Sequence, residues 1–248
     1  MEGLHHGDCL EVMKDIPDGS IDMVLTDPPY GTTACKWDSV IPFDEMWLRL
    51  NKLIKPNGAI VLFGSEPFSS ALRMSNIKNY KYDWIWNKKL AGNGILAKHQ
   101  PLKIHEIVCI FSKGRANYMP IMTKGKLRKK MTNSPKVSEI NNGDGNKRCK
   151  ETYNDNYYPL SIQEFSMAGM RKGRLHPTQK PVALMEYLIK TYTNEGEAVL
   201  DFTMGSGTTG VAAKNLGRKF LGIEMDDKYF EIAKKRISES GNNKGLFE

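Results

Sequence analysis

The chain has little of what marks secreted, membrane-spanning or zinc-binding proteins. Only four of its 248 residues are cysteine, and no two of them form the C-x-x-C pair of zinc ribbons and thioredoxin-like motifs. The N-terminus lacks the charged and apolar regions of a signal peptide, and no run approaches the roughly 18 apolar residues of a membrane span. The neighbouring His5 and His6 do not by themselves make a metal site. We expect a soluble, cytoplasmic protein with no bound metal and no membrane partner.

The excess positive charge is concentrated in one segment. The formal net charge is +8, and residues 112–176 contain fourteen Lys and Arg against five Asp and Glu, which leaves the rest of the chain near neutrality. A structureless loop of that length would be unusual inside a compact domain. We therefore predict an inserted basic module over residues 112–175. Such asymmetry favours a polyanion partner, and a solvated basic loop is the alternative.

Outside that segment, short apolar runs alternate with amphipathic helical patterns. A chain of this length can form a single α/β domain with a substantial core. Near-continuous apolar strands between such helices predict a mainly parallel sheet with helices on both faces. The predicted strands are Ile21–Leu25, Ala59–Phe63, Tyr82–Trp86, Glu106–Phe111, Ala198–Asp201 and Phe220–Glu224. Three helices are predicted. The first covers residues 43–54 and is ended by the Pro-Asn-Gly at 56–58, the second begins after Pro181, and the third covers residues 226–239.

The tetrapeptide Asp27-Pro28-Pro29-Tyr30 directly follows the first predicted strand. The two prolines stop the strand, fix the backbone and remove two N–H donors, so the carbonyls point outward without internal competition. A carboxylate, a stiff carbonyl and an aromatic ring therefore stand together at the end of a buried strand. A planar aromatic amine needs these groups, as acceptors for its N–H bonds and as a face on which to stack.

A Gly-rich loop follows another predicted strand and opens a helix. Gly205, Gly207 and Gly210 form a G-x-G-x-x-G pattern, which allows a tight turn and the close approach of a ligand to the backbone. Glu224 ends the next strand about 20 residues further on, where an acidic side chain can hold ribose hydroxyls. The pattern predicts a bound nucleoside, but NAD would also fit this fragment.

Three motifs together resemble those of the DNA amino-methyltransferases, enzymes that use S-adenosylmethionine. They are the DPPY at 27–30, the HPTQKP at 176–181, and the loop at 201–210, which is similar to the family's DPFxGSGTT. Their order resembles the β-class permutation. The resemblance covers roughly residues 7–226 and implies a Rossmann-like methyltransferase fold, with residues 1–248 as one circularly permuted domain. The family's Pro-Phe is Phe202-Thr203 here, so the resemblance assigns no cofactor role to Thr203.

The resemblance also implies a role for each matching residue. Asp27 and the Pro28 carbonyl, in a motif completed by Pro29, would accept hydrogen bonds from the target amino group, and Tyr30 would stack on the flipped base. An Asp near its ordinary pKa is ionised at neutral pH, as this acceptor must be. The implied cofactor residues are Asp8, Cys9, His176, Thr178, Gln179, Lys180, Asp201, Gly205, Ser206, Gly207, Thr208, Thr209 and Glu224.

The resemblance implies methyl transfer from S-adenosylmethionine to the N6 amino group of adenine at a short DNA site, with S-adenosylhomocysteine as the product. Family members with Asp in the tetrapeptide mostly modify adenine, whereas those with Ser mostly modify the cytosine N4 amino group. Three alternatives stay open: an N4-cytosine DNA methyltransferase of the same fold, an RNA or protein substrate, and a catalytically silent DNA-binding module. The sequence argues against methylation at carbon 5 of cytosine, which needs a thiolate nucleophile, because none of the four cysteines follows a proline.

The implied partner is double-stranded DNA, bound in part by the basic region at 112–175 as the target-recognition module. Related β-class enzymes are often dimers, so a homodimer and a cognate restriction endonuclease are further partners that the sequence leaves open. The same reasoning places the protein in the bacterial cytoplasm, or in the host cytoplasm if the gene belongs to a phage.

Overall fold

The computed structural model describes residues 3–32, 38–132, 150–167 and 179–241. Two compact units are present, one formed by Met1–Met119 with Ser161–Glu248 and the other by Pro120–Leu160. The strands are β1 (Gly3–His6), β2 (Ile21–Thr26), β3 (Ile54–Gly64), β4 (Tyr80–Asn87), β5 (His105–Phe111), β6 (Thr123–Thr132), β7 (Lys150–Tyr157), β8 (Ile162–Glu164), β9 (Ala198–Asp201) and β10 (Lys219–Glu224). The α-helices are α1 (Cys9–Val12), α2 (Phe43–Leu53), α3 (Phe68–Ser75), α4 (Val182–Tyr192), α5 (Thr208–Asn215) and α6 (Asp227–Glu239).

The larger unit is built on an eight-stranded sheet with the order β1-β10-β9-β2-β3-β5-β4-β8. Five strands that are consecutive in the sheet, β1, β10, β9, β2 and β3, are parallel to one another. Strand β5 runs antiparallel to both of its neighbours, and β8 lies parallel to β4 at the edge. The predicted α/β fold with a mainly parallel sheet is confirmed, and each of the six predicted strands is present.

The two faces of the sheet carry separate hydrophobic clusters. Alternate residues of β2 enter opposite clusters, because successive side chains of a strand point to opposite faces. Met23 and Leu25 pack with residues of α4 and α5, whereas Val24 packs with Leu50 of α2 and Leu72 of α3. Helices therefore cover both faces. Among the described helices, none is long and apolar enough to cross a membrane.

The end of α2 differs from the prediction. The helix ends at Leu53 rather than at the Pro-Asn-Gly, and Ile54 already begins β3, where it pairs with Ile21. A proline disfavours helical backbone in the residue before it, so Lys55 is driven into an extended conformation by Pro56. Burial of Ile54 between the strands then fixes the boundary.

The smaller unit contains the antiparallel pair β6 and β7, whose register shifts between Lys124 and Arg128. Its described cations are exposed: Lys124 pairs with Asp155 at 2.9 Å, and the Arg128 guanidinium lies 5.1 Å from the centre of the Tyr157 ring. The limits of the inserted module, residues 112–175, stay a prediction.

Candidate active site

The carboxyl ends of three neighbouring parallel strands bring the predicted motifs together. Strand β2 leads into Asp27, β9 ends at Asp201, and β10 ends at Glu224. These strands are adjacent in the order β10-β9-β2, so their ends meet at one edge of the sheet. In open α/β sheets this edge is where ligands bind.

A cavity of about 310 Å³ opens at this edge. Its walls come from the start of α1, the DPPY motif, the segment before α2, the start of α4 and the Gly-rich loop. The predicted site residues that line it are Asp8, Cys9, Asp27, Pro29, Gln179, Lys180, Asp201, Gly205, Ser206, Thr208, Thr209 and Glu224. Gly207 is not among the lining residues, and His176 and Thr178 lie outside the described residues.

The Gly-rich loop is held by the carboxylate of Glu224. Glu224 Oε2 accepts a hydrogen bond from the Gly205 N–H at 2.8 Å, and Oε1 accepts from the N–H groups of Met225 and Asp226, each at 2.9 Å. A dinucleotide pyrophosphate would use loop amides of this kind. Because the Gly205 amide already has an anionic partner, the loop is a poor site for NAD.

The charge of the cavity favours a cationic ligand. Among the described residues, four carboxyl groups line it, those of Asp8, Asp27, Asp201 and Glu224, against one ammonium, that of Lys180. S-adenosylmethionine carries a sulfonium and an ammonium group, and its ribose offers hydroxyl donors to acidic side chains. The donor set therefore fits this cofactor. Glu224 and Asp8 have accepting capacity left after their backbone hydrogen bonds.

Asp201 is buried and ties the Gly-rich loop to β2. Its Oδ1 accepts from Thr26 Oγ1 at 3.0 Å and from the Thr203 N–H at 3.2 Å, and its Oδ2 accepts from Thr209 Oγ1 at 2.5 Å. Burial raises the pKa of Asp201 to about 7, although these donors oppose the shift. The carboxyl thus acts mainly as an anchor for the loop.

Thr203, which departs from the family pattern, links the two motifs. Its Oγ1 donates a hydrogen bond to the main-chain carbonyl of Asp27 at 3.2 Å, and its side chain lines the cavity. A Phe at this position could not make that bond. The hydroxyl therefore gives the DPPY backbone a polar tie to the Gly-rich loop.

A second cavity, of about 230 Å³, lies on the other side of Asp27. It shares Asp27, Gln179 and Lys180 with the first cavity, so the two spaces meet at these side chains. Its remaining walls are Tyr30, Trp86, Lys88, Leu90, Ala91, Gly92, Glu106 and Met167. The loop after β4 thus helps to enclose this space.

Asp27 is bonded at both carboxylate oxygens. The Tyr30 hydroxyl donates to Oδ1, and Lys180 Nζ lies 2.5 Å from Oδ2. Burial raises the pKa of Asp27 above its ordinary value, while the Lys180 ammonium opposes that rise. The expectation of an ordinary pKa is therefore wrong, because it assumed solvation that this position lacks. Burial and the Asp27 carboxylate also raise the pKa of Tyr30, which stays a phenol able to donate.

The turn after the DPPY motif is fastened by Asp38, which the sequence reasoning missed. Its Oδ1 accepts from the N–H groups of Tyr30 and Gly31 at 2.8 and 2.9 Å, and its Oδ2 accepts from Thr32 at 2.9 Å. Glu106, which lines the second cavity, was missed as a site residue as well. The available signal was Glu106 itself, a charged residue at the start of an otherwise apolar predicted strand.

Cys9 lines the first cavity as a neutral thiol. Burial and the neighbouring Asp8 raise its pKa to about 12, so it contributes a packing surface rather than a nucleophile. Within the described parts of the chain, no group of three or more His, Cys, Asp and Glu side chains is placed to hold a metal ion.

The sequence matches a family model described as DNA methylase (N6_N4_Mtase) over residues 21–235. It is 28% identical to the type II methyltransferase M2.DpnII of Streptococcus pneumoniae, over 94% of this chain and 88% of that protein. It is 29% identical to the DNA adenine methyltransferase YhdJ of Escherichia coli (strain K12), over 94% of this chain and 81% of the relative.

Two solved structures are also similar to this chain. The M1.HpyAVI–SAM complex superposes with a TM-score of 0.64 at 29% identity, covering 96% of this chain and 99% of the other. The cytosine-N4-specific PvuII DNA methyltransferase superposes with a TM-score of 0.65 at 20% identity, covering 97% and 87% of the two chains, and this likeness shows the fold alone.

Proposed function

The chain belongs to the DNA methylase family, and we propose that it transfers a methyl group from S-adenosylmethionine to the N6 amino group of adenine in a short double-stranded DNA sequence. The observation that carries the proposal is the meeting of two cavities at Asp27. The first cavity fits the methyl donor by charge, and the second offers an aromatic wall and hydrogen-bond acceptors to the base. A transfer between ligands needs such adjacent sites.

Asp27 and the Pro28 carbonyl are proposed to hold the target amino group. The amino lone pair of adenine is delocalised into the ring and is a poor nucleophile. Two acceptors on its hydrogens favour a more tetrahedral nitrogen, whose lone pair can face the first cavity. When bound, S-adenosylmethionine supplies an electrophilic methyl group on its sulfonium. The raised pKa of Asp27 also suits it to take the proton that the amine loses.

The second cavity is proposed to receive the base after it leaves the duplex. An amino group inside a paired, stacked base is out of reach, so the nucleotide must flip out. Tyr30 lines this cavity and offers aromatic surface that offsets lost stacking. The Tyr30 ring is braced by Phe68, with ring centres 5.0 Å apart.

Adenine is proposed as the target base because the relative YhdJ is named as a DNA adenine methyltransferase. The cytosine N4 amino group is the second candidate, because the matched family covers both amino groups by name. The relative M2.DpnII is named as a type II methyltransferase, which supports the proposal of a cognate restriction endonuclease as partner. A homodimer, a cytoplasmic location and target recognition by residues 112–175 are likewise proposals.

The test is transfer of labelled methyl from S-adenosylmethionine to unmethylated DNA, followed by nucleoside analysis. Label in N6-methyladenine supports the proposal, and label in N4-methylcytosine supports the second candidate instead. The absence of label in either nucleoside contradicts both. The matched variants are Asp27→Asn and Asp27→Ala. Loss of the acceptor should lower the rate by about 100-fold or more, with cofactor affinity changed by only a few-fold. Unchanged methyl transfer in Asp27→Ala would sink the assignment of Asp27.

A further inference from the structure

We propose that Glu106 is a positioning residue for methyl transfer, because it shares the Lys180 ammonium with Asp27 and so keeps Asp27 a strong acceptor for the target amino group. The inference rests on the proposed function. Glu106 belongs to none of the three motifs, and it enters the site only through the pairing of β5 with β4, which sets it opposite Trp86.

The geometry places Lys180 between two carboxylates. Its Nζ lies 2.5 Å from Asp27 Oδ2 and 3.1 Å from Glu106 Oε2. The other oxygen of Glu106 lies 3.1 Å from Lys88 Nζ. Acids and lysines thus alternate in the order Asp27, Lys180, Glu106, Lys88, and all four side chains line the second cavity.

The burial of these groups strengthens the interactions between their charges. The Lys180 side chain is only 7% exposed, and its Nζ lies 5.0 Å from the centre of the Phe63 ring and 6.0 Å from that of Trp86. In such a site charges interact far more strongly than in water. When two carboxylates share one ammonium, each of them keeps more of its strength as a hydrogen-bond acceptor than a carboxylate that binds an ammonium alone.

Two consequences follow for Asp27. The negative charge of Glu106 raises the pKa of Asp27 against the lowering effect of Lys180. Glu106 also gives Lys180 a second fixed partner, so the ammonium stays beside Oδ2 and leaves space in the cavity for the base. Among the described residues, the titratable groups that face Asp27 are Lys180, Glu106 and the neutral phenol of Tyr30 within the site, with Asp201 behind it.

The same pair of strands supplies a matched control. Asp83 of β4 pairs with Arg73 at 3.0 Å, and its side chain is 22% exposed, against 18% for Glu106. Asp83 lines neither cavity. Asp83→Asn therefore removes a half-buried ion pair from the same part of the sheet without touching the Asp27–Lys180 contact.

The experiment measures single-turnover methyl transfer to DNA as a function of pH, with saturating cofactor and DNA. In Glu106→Gln the plateau rate should fall by about tenfold, and the acid limb of the profile should move to lower pH by about one unit. Cofactor affinity should change by less than about threefold. Asp83→Asn should keep the wild-type rate and limb, with a loss of thermal stability similar to that of Glu106→Gln.

Lys88→Gln gives a second test with the opposite sign. It removes the cation on the far side of Glu106, so the acid limb of the pH profile should move to higher pH. If Glu106→Gln does not fold, the shift measured in Lys88→Gln tests the positioning role of Glu106 instead. A wild-type profile in Glu106→Gln, or a rate loss with an unshifted limb, overturns the inference and leaves a structural role. Failure of the proposed function would look different, because the wild-type protein itself would then label no DNA.

Discussion

At the residue scale, Asp201 links the Gly-rich loop to β2 through a carboxyl group whose charged form is disfavoured by burial. It is 3% exposed, and its hydrogen-bond partners in the described part of the chain are Thr26, Thr203 and Thr209, none of which is a cation. Burial raises its pKa to about 7. The folded protein therefore binds a proton here that the unfolded chain releases near pH 4. By linkage, this group's contribution to stability is full below pH 4 and is lost as the pH rises through 7.

We predict that Asp201→Asn removes this pH dependence. The free energy of unfolding of the variant, relative to wild type, should rise by about 2 kcal/mol between pH 5.5 and 8.5, since the Asn has no charge to desolvate. Urea unfolding of the cofactor-free protein at three pH values measures it. Asp22→Asn is the control, because Asp22 also joins β2 to β9, through the Ala198 N–H at 2.9 Å, but has Lys55 as an ion partner at 2.6 Å. A flat difference for Asp201→Asn would contradict the prediction.

The residues that the sequence revealed are those that lie in contiguous motifs. Asp27, Tyr30 and Glu224 could be found because each stands at a strand end or in a short pattern with a chemical reason. Asp38 could not, since its role exists only through contacts with three backbone N–H groups that form after folding. For Glu106 the sequence offered only a charged residue at the start of an apolar strand, and its two lysine partners are set by the fold.

At the element scale, the junction of the Gly-rich loop and α5 depends on one glycine. Gly207 caps α5 with φ +77°, a left-handed conformation that other residues rarely adopt. A Cβ built on it would lie 2.9 Å from the Cβ of Ala233 in α6. Gly207 is thus required by helix packing rather than by direct contact with the cavity, although the sequence pattern alone suggested a ligand contact.

We predict that Gly207→Ala destabilises the protein by about 3 kcal/mol and weakens cofactor binding, because the left-handed backbone and the clash with α6 both oppose it. Gly196→Ala is the matched control: its φ is +79°, and nothing lies within 4 Å of the added Cβ. It should lose only about 1 kcal/mol. Thermal and urea unfolding, together with cofactor titration, measure both. Equal losses in the two variants would show that packing against Ala233 is unimportant.

The elements that were predicted correctly are those with strong apolar periodicity. All six apolar strands were found, whereas β1, β6, β7, β8, α1 and α3 were not. Strand β1 is four residues long and half of it is exposed, and α1 is a single turn held by its Asp8 cap. Such short elements owe their form to the neighbours on which they pack, so periodicity over a window cannot reveal them.

At the scale of the whole molecule, the residues of the active site and the basic segment belong to different units of the chain. The site groups belong to the larger unit, whereas the smaller unit, Pro120–Leu160, carries exposed cations such as Lys124, Lys126 and Arg128. A basic surface of this kind supplies affinity for phosphates that is independent of sequence and depends on salt. The composition predicted a polyanion partner, but which phosphates are contacted depends on a complex that composition cannot describe.

We predict that changing Arg128, Lys129 and Lys130 together to Ala weakens DNA binding by about tenfold at low salt and makes the dependence of log K on log salt shallower by about 2 to 3. Each phosphate contact that is lost releases about one counterion fewer. Fluorescence anisotropy at several salt concentrations measures both quantities. The control removes the same formal charge from α6 by changing Lys228, Lys234 and Lys235, all exposed, to Ala. If both triple variants changed the slope equally, net charge alone would explain the effect. If the slope of the first were unchanged, residues 128–130 would not contact phosphates, and the rest of the basic segment would have to supply those contacts.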